Sequence, residues 1–201
     1  MFRMTGVVRN LLILNVIVFV LTDIIMKDSG LRSLLALHYP TSPYFKPFQF
    51  VSHFFTHGGL THILFNMFGL VIFGGPLESI WGPKKFLAYY LISAAGAAII
   101  HLLMASLGVI APSPVVGASG ALYGLLIAFA MKFPNTELML IFLPVPIKAK
   151  YFVPGLIAID LFAGIGNFSG DPIAHFAHLG GALFGFLLLL YWKEVNTGMY
   201  S

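Results

Sequence analysis

The residues of this chain that could do chemistry are a serine and a few histidines and amides within otherwise apolar stretches. Ser119 lies among small residues in Gly-Ala-Ser-Gly, with Tyr123 one helical turn further along, and His178 heads another apolar stretch. A serine hydroxyl becomes a nucleophile when a base takes its proton, and histidine is the usual base because its pKa lies near working pH. Ser119 and His178 are therefore a candidate pair for nucleophilic catalysis.

Three groups are candidates to stabilise the oxyanion that such an attack produces. Helical spacing places His62 and Asn66 on one helix face, one turn apart. The His62 ring N–H, the Asn66 amide and the Ser119 backbone N–H are donors of the kind that an oxyanion needs. His57 lies at the boundary of the preceding loop, and we expect it to tie that loop to the helix by hydrogen bonds.

Each feature also has a purely structural interpretation. Small residues around a serine are typical of close helix packing in membranes, and single membrane histidines usually cap or bridge helices. Tyr123 is either a core aromatic or a ring packed against His178. Asp160 and Asp171 could orient a histidine, but the sequence places neither of them. Three further histidines are interpreted as structural: His38, His101 and His175.

The composition indicates that these residues lie in a membrane. Of 201 residues, 59% are apolar and 9% are charged, against roughly 45–50% and 25% in soluble domains. So few charged side chains could not cover the surface of a soluble domain. The formal net charge is +4, but the basic residues are scattered, so the sequence predicts no nucleic-acid binding.

The composition also excludes several kinds of site. The chain has no cysteine, which excludes disulfides, thiolate nucleophiles and thiolate metal sites. The zinc-protease pattern His-Glu-x-x-His is absent as well. We therefore predict neither a metal nor a cofactor.

Six apolar stretches approach the length of about 20 residues with which a helix crosses a bilayer. They cover residues 11–26, 60–75, 86–107, 118–131, 151–165 and 176–192. The sequence predicts one membrane domain over residues 1–201, with an all-α integral membrane fold of six transmembrane helices.

The basic residues predict how this bundle is oriented. With both termini cytoplasmic, eight of the eleven Lys and Arg residues lie on the inner side, as the positive-inside rule requires. The second, fourth and sixth stretches then all begin at the outer face. His62, Ser119 and His178 thus lie at similar shallow depth, with Asn66 about 5 Å deeper.

Glycines predict that the fourth and sixth stretches touch. Gly120 and Gly124 in one, and Gly181 and Gly185 in the other, have the spacing of small-xxx-small contacts. Such contacts let two helices approach closely in lipid. We therefore expect Ser119 and His178 to come within reach of each other.

Two connecting segments are unusual. The first outer loop, residues 27–56, contains three prolines and is longer than a simple connector, so we expect it to be functional or disordered. Residues 138–145 are apolar but too short to span, and they are interrupted at Pro144. We expect this piece to lie at the membrane interface.

Over residues 48–185 the chain resembles the rhomboid family of intramembrane serine proteases. Four features similar to the family's motifs follow in the family's order: His57-x4-His62-x3-Asn66; Phe73-Gly-Gly-x2-Glu78 with Trp81-Gly82; Gly117-Ala-Ser119-Gly120 with Tyr123; and Ala177-His178-x2-Gly181-x3-Gly185. One position departs from the family. Many members carry Trp-Arg in the first loop, where this chain has Phe48-Gln49, and the difference concerns how the loop is anchored.

The resemblance implies a rhomboid-like bundle of six helices and a Ser119–His178 catalytic dyad. It also implies that His62 and Asn66 donate to the oxyanion and that Tyr123 packs on His178. The first outer loop would be a partly membrane-embedded element, and the fifth span a candidate lateral gate. No third, acidic member of the catalytic group is expected.

The predicted function is therefore an intramembrane serine endopeptidase that cleaves transmembrane protein substrates near the outer membrane boundary. A substrate helix must unwind locally before attack, so small or helix-weakening residues are expected at the cut. A non-catalytic membrane chaperone of the same fold and a small transporter are the alternatives. The predicted location is a prokaryotic inner membrane, and the sequence does not determine the oligomeric state.

Overall fold

The computed structural model describes residues 6–140, 143–166 and 173–194, which form a helical bundle with one small hairpin. In chain order, the elements are α1 (Gly6–Phe19) with a π-helical extension (Val20–Ile25), α2 (Leu31–Leu35), α3 (Gln49–Ser52) with a 3-10 turn (His53–Phe55), α4 (Leu60–Gly69) with a π-helical extension (Leu70–Gly74), α5 (Gly75–Ser106), α6 (Ser119–Lys132), β1 (Glu137–Leu140), β2 (Leu143–Lys148), α7 (Ala149–Gly166) and α8 (His175–Tyr191).

The helices have the lengths and composition of a membrane protein. Four helical stretches are long and apolar enough to span: Gly6–Ile25, Leu60–Trp81, Pro83–Ser106 and Ala149–Gly166. Helices α6 and α8 are apolar but shorter, and each of the six apolar stretches of the sequence coincides with one of these helices. The predicted fold class, an all-α integral membrane bundle, is confirmed, with the hairpin as its one departure among the described residues.

The second helical stretch is longer than the sequence pattern indicates. Gly74, Gly75 and Pro76 do not end it, because the chain passes through a π-helical turn and Pro76 falls in the first turn of α5. A proline is tolerated there since its missing N–H needs no intrahelical acceptor. The chain breaks instead at Gly82, whose φ of 76° lies in the left-handed region that favours glycine.

Helices α5, α6 and α8 form the centre of the bundle and approach one another through small residues. Tyr89 of α5 donates a 2.8 Å hydrogen bond to the carbonyl oxygen of Gly124 in α6. The side chain of Phe184 in α8 packs directly on Gly96 of α5, and a side chain at position 96 would collide with it. Because the backbones of these three helices are in close contact, the first turn of α6 is fixed in position relative to the first turn of α8.

The first outer loop is anchored by a glutamine. Gln49 is fully buried, and its amide donates to the carbonyl oxygens of Leu34 and Tyr44 at 3.0 and 2.9 Å. Its Oε1 accepts the backbone N–H groups of His38 and Lys46 at 3.2 and 3.1 Å. Four hydrogen bonds to backbone groups thus hold this loop from within.

The segment after α6 forms a β-hairpin, which the sequence pattern does not predict. Strands β1 and β2 form an antiparallel hairpin in which Glu137 faces Lys148 and Leu138 faces Ile147. Pro144 and Pro146 lie two residues apart on β2, so their missing N–H groups belong to one edge of the strand. A two-stranded sheet has a free edge on each strand, which is why these prolines are compatible with pairing.

A glutamate after α8 ties three elements together at the end of the bundle opposite Ser119. The Glu194 carboxylate pairs with Lys132 at the end of α6 and with Lys85 of α5. Hydrogen bonds from Lys132 and Lys85 hold the pKa of Glu194 below its usual value of 4.5.

We expect Glu194→Gln to lower the melting temperature at neutral pH but not in acid. Because the pKa is lower in the folded state, the pairing stabilises the fold fully above about pH 4.5 and is lost as pH falls through the folded-state pKa. The neutral-pH loss should be about 2–4 °C, or roughly 1 kcal/mol for a chain of this size. Thermal unfolding in detergent between about pH 3 and 7 measures it.

Asp28→Asn is the matched control, because Asp28 is an exposed carboxylate in the first outer loop. Its melting temperature should follow that of the wild type at every pH. A Glu194→Gln deficit that persists unchanged in acid would contradict the ion-pair explanation.

Candidate active site

The structure brings Ser119 and His178 together across the first turns of α6 and α8. The Ser119 Oγ donates to His178 Nε2 at 2.9 Å. Both helices begin at the same end of the bundle, so the hydroxyl and the ring lie at the same depth. The imidazole nitrogen is in position to take the hydroxyl proton.

Tyr123 lies one turn along α6 and packs on the opposite helix. Its ring stacks on the His178 imidazole, with centroids 4.3 Å apart and planes 11° from parallel. Of the two interpretations of Tyr123, the ring packed against His178 is the one observed. This contact restricts the rotation of His178 and holds Nε2 towards Ser119.

His62 approaches the serine because Gly117 has no side chain. A Cβ atom at Gly117 would lie 2.7 Å from His62 Cε1 and Nε2 and 3.8 Å from Ser119 Oγ. The backbone N–H of Gly58 donates to His62 Nδ1 at 3.2 Å, so in the neutral ring the proton is on Nε2. That N–H faces the space between Gly117 and the serine.

Two buried histidines support this wall of the site. His57 packs edge to face on His62, with centroids 5.2 Å apart, and the backbone carbonyl of His53 accepts the Gly117 N–H at 2.9 Å. Burial lowers the pKa of both His57 and His53 to about 4. Both are therefore neutral at physiological pH. The His53 ring bonds to the carbonyl oxygen of Gln49 at 2.7 Å, whereas His57 acts as an uncharged packing group, because neither of its ring nitrogens has a hydrogen-bond partner among the described residues.

Asn66 is buried one turn beyond His62 and bonds within its own helix. Its amide N–H donates to the carbonyl oxygen of His62 at 2.8 Å, while its Oδ1 has no hydrogen-bond partner among the described residues. An amide has two N–H groups, so one donor is left for a ligand. The bond stays within α4, so the amide does not bridge two helices here.

The glycines set the separation of α6 and α8. A Cβ atom at Gly181 would overlap the carbonyl oxygen of Gly120. One turn further in, a Cβ at Gly185 would lie 2.9 Å from the Cα of Gly124. These four residues are the predicted small-xxx-small positions, and they let the two backbones touch directly.

An acidic side chain lies beside His178, although no third, acidic member of the catalytic group is expected from the sequence. Asp160 of α7 accepts a hydrogen bond from His178 Nδ1 at 3.3 Å and a shorter one from His175 Nδ1. The Tyr123 hydroxyl lies close to this carboxylate and interacts with it electrostatically. His175, interpreted from sequence as structural, is thus part of the site, whereas Asp171 lies outside the described residues.

One signal in the sequence could have found Asp160. Only eight residues of sequence separate the end of α7 from the start of α8, and so short a separation favours antiparallel neighbours. At 1.5 Å per residue, Asp160 lies about 9 Å before the end of α7 and His178 about 5 Å into α8. The two side chains are thus at comparable depth. The sequence does not show how each helix is rotated about its axis, and it therefore does not show that the two side chains face each other.

Asp160, His175 and His178 also place ligand atoms within 4.8 Å of one another, which is the spacing of a metal site. Hydrogen bonds among the same three side chains already account for this proximity. The group nevertheless makes a chelator a necessary control in any assay.

The comparisons with known proteins agree with this arrangement of residues. The family model of the rhomboid domain matches residues 44–194. The human presenilin-associated rhomboid-like protein, mitochondrial, is 34% identical over 145 residues, which cover 70% of this chain and 37% of that protein. Yeast rhomboid protein 1, mitochondrial, is 33% identical over 136 residues, covering 66% of this chain and 38% of that protein.

A plant relative matches over a longer stretch. Rhomboid-like protein 16, chloroplastic, from Arabidopsis thaliana is 26% identical over 212 residues, covering 97% of this chain and 64% of that protein. The chain thus spans little more than a third of the human and yeast relatives. Their names point to mitochondria and chloroplasts, so they do not support the predicted prokaryotic membrane. The protein is a multi-pass membrane protein, and its match to the domain model over most of its length shows that it belongs to the rhomboid family.

Proposed function

We propose that this protein is an intramembrane serine endopeptidase in which Ser119 is the nucleophile and His178 the general base. Family membership makes proteolysis in the membrane the general expectation. The observation that carries the specific proposal is the 2.9 Å hydrogen bond from Ser119 Oγ to His178 Nε2. Of the described serines and histidines, these two are joined at the shallow ends of apolar helices, where water can reach them.

The reaction follows from this hydrogen bond. His178 Nε2 accepts the hydroxyl proton as Ser119 Oγ attacks a substrate carbonyl, and the bond to the leaving amine breaks as the same nitrogen returns the proton to it. The product is an ester between Ser119 and the new carboxyl end. Water, deprotonated by His178, then hydrolyses the ester and restores the hydroxyl.

This proposal assigns three donors to the oxyanion. Ser119 is the first residue of α6, so its backbone N–H has no intrahelical acceptor. The His62 Nε2–H faces the same space, and Asn66 has one amide N–H uncommitted. Donors fixed before the reaction stabilise the developing charge without reorganising, which is the largest contribution in many enzymes.

We expect Asn66→Ala to lower kcat by about 10²–10³-fold with little change in KM, because an oxyanion donor acts mainly in the transition state. The variant should also lose some thermal stability, since it loses a hydrogen bond to His62. Turnover and melting temperature measured on one preparation of purified protein check both effects.

Asn15→Ala is a close structural control. Asn15 is buried in α1 and donates to the carbonyl oxygen of Leu11, four residues earlier, at 2.7 Å, as Asn66 does to His62. The two variants should lose similar stability, whereas Asn15→Ala should keep the wild-type kcat. Equal kcat in both would reject the oxyanion role of Asn66.

The substrate class follows from the surroundings of the serine. Ser119 opens to a small cavity, and a cut there requires a substrate segment to leave its helix, because helical carbonyls are hydrogen-bonded and shielded. Helix-weakening residues beside the scissile bond ease this local unwinding, because they stabilise a helix least. The proposed substrate is therefore a transmembrane segment with such residues at the cut.

The proposed orientation puts Ser119 near the outer membrane boundary and the Glu194 cluster on the inner side. Lys85 and Lys132 lie in that cluster, in agreement with the excess of basic residues assigned to the inner face. Cleavage would therefore occur near the outer boundary of the membrane in which the protein resides.

A serine-directed fluorophosphonate tests the proposal. Purified wild-type protein in detergent should be labelled, peptide mapping should place the label on Ser119, and His178→Asn should react far more slowly. A chaperone or transporter with this fold would have no need of a reactive serine. Absence of labelling at Ser119, together with no cleavage of transmembrane substrates, would overturn the proposed function.

A further inference from the structure

A carboxylate from α7 reaches the side of His178 that faces away from Ser119. Asp160 Oδ2 lies 3.3 Å from His178 Nδ1, whereas Nε2 on the other side of the ring bonds to Ser119. Asp160 is buried, with 5% of its surface exposed. An ionisable side chain within a membrane helix is costly unless it has a partner, and this one bonds to His175 and His178.

His175 and Tyr123 also lie beside the carboxylate. His175 Nδ1 donates to Oδ1, and the Tyr123 hydroxyl lies close to the carboxylate. Since Tyr123 stacks on His178 as well, the same residue fixes both the imidazole and the group that accepts its proton. The arrangement is an ordered network around one ring.

The position of this carboxylate has a chemical consequence. A carboxylate only accepts hydrogen bonds, so its contact with Nδ1 requires the proton of a neutral His178 to be on Nδ1. That tautomer leaves Nε2 free to accept the serine proton, and the carboxylate also stabilises the imidazolium formed during attack. The opposite tautomer would leave Ser119 without a base.

The helix that carries Asp160 lies at the edge of the bundle. The main contacts of α7 within the bundle are with α6 and α8, and Ile159, Phe162 and Ile165 on it are exposed. Near its end, Gly164 packs closely on His175 and Phe176, where an added Cβ would lie 3.2 Å from each side chain. The carboxylate therefore reaches His178 only when α7 sits against α8.

We propose that Asp160 is a positioning residue for His178, held by His175 and Tyr123. Because Asp160 is on α7, full activity requires α7 to pack against α8. This inference rests on the proposed function, because it assigns a role beside the same serine and histidine. It adds a member from the fifth span to a site that otherwise uses the second, fourth and sixth.

The test compares Asp160→Asn with wild type for cleavage of a transmembrane substrate, with EDTA present throughout to remove metal ions. We expect kcat to fall by about 10²–10⁴-fold, as for orienting carboxylates in other serine proteases, with KM nearly unchanged. Fluorophosphonate labelling of Ser119 should slow in parallel, because it reports the serine and its base without substrate entry. Asp160→Glu should recover part of both rates.

Glu78→Gln separates this role from a structural one. Glu78 is as buried as Asp160 and accepts the N–H groups of Val7 and Val8 at 2.9 Å, towards the other end of the bundle. It should lose stability and keep the wild-type kcat. If Asp160→Asn behaves the same way, the positioning role is overturned while the proposed function stands. Absence of activity and labelling in wild type is instead the failure of the proposed function.

If Asp160→Asn does not fold, the variant Tyr123→Phe tests the positioning role of Asp160 instead. It keeps the ring on His178 and removes only the hydroxyl that lies close to Asp160. A several-fold lower kcat at unchanged KM and melting temperature supports the positioning role, and a wild-type kcat overturns it.

Discussion

Purified Ser119→Ala protein should unfold within a few degrees of the wild-type temperature and cleave a transmembrane substrate only at background rate. The hydroxyl makes one partly buried hydrogen bond, to His178, and such a bond contributes about 1 kcal/mol to stability. Loss of the nucleophile in other serine proteases lowers kcat on the order of 10⁶-fold. Melting temperature and turnover in one detergent preparation measure both quantities.

Ser93→Ala is the matched control for this variant. Ser93 is fully buried on α5, and its Oγ has no hydrogen-bond partner among the described residues. Removing this hydroxyl tests whether loss of any serine from the small-residue core disturbs activity, and we expect wild-type turnover. Wild-type cleavage by Ser119→Ala would reject Ser119 as the nucleophile.

Gly181→Val should lose activity and stability together, which distinguishes it from Ser119→Ala. A side chain at Gly181 overlaps the carbonyl oxygen of Gly120, so α8 must move away from α6. Overpacking of this kind costs about 1–3 kcal/mol and occasionally more. A displacement of about 1 Å between reacting groups can lower the rate about 10²-fold. Thermal unfolding and kcat of the folded fraction measure the two losses.

Gly75→Ala is the control for replacing a glycine in this bundle. Gly75 begins α5 with helical backbone angles, and a Cβ there meets nothing within 4 Å. Its stability and turnover should match those of the wild type. If Gly181→Val proves as stable and active as wild type, direct contact between α6 and α8 does not set the distance from Ser119 to His178.

The positions of Ser119, His178 and His62 at one depth follow from the sequence because they depend on order along the chain. Apolar length indicates which stretches cross the membrane, and the side on which each begins follows from the basic residues. Glycine spacing then indicates which two helices touch. None of these steps requires knowledge of how a helix is rotated about its axis.

The direction in which Asp160 faces could not be predicted in this way. Apart from Asp160, the middle of helix α7 is apolar on every side. No polar face therefore indicates which of its residues point inward. The exposed Ile159 and the buried Asp160 are chain neighbours on different faces. Only packing of α7 on α8 decided that the carboxylate faces His178 and not lipid.

Gln49 and the hairpin were beyond sequence reasoning for a different reason. The four hydrogen bonds of Gln49 all go to backbone groups, and backbone partners leave no pattern of residue types. Pairing of Glu137 with Lys148 likewise depends on a reversal of the chain, and prolines are rare within paired strands.

The amino-acid sequence by itself determined that this protein lies in a membrane, where its helices are, which family it belongs to and which residues are assigned to its chemistry. These conclusions depend on the length of the apolar stretches and the spacing of the motifs, which can be read along the chain. The tertiary structure alone decided which groups surround His178 and what anchors the first loop. Those contacts depend on helix rotation and backbone partners, which residue order does not encode locally.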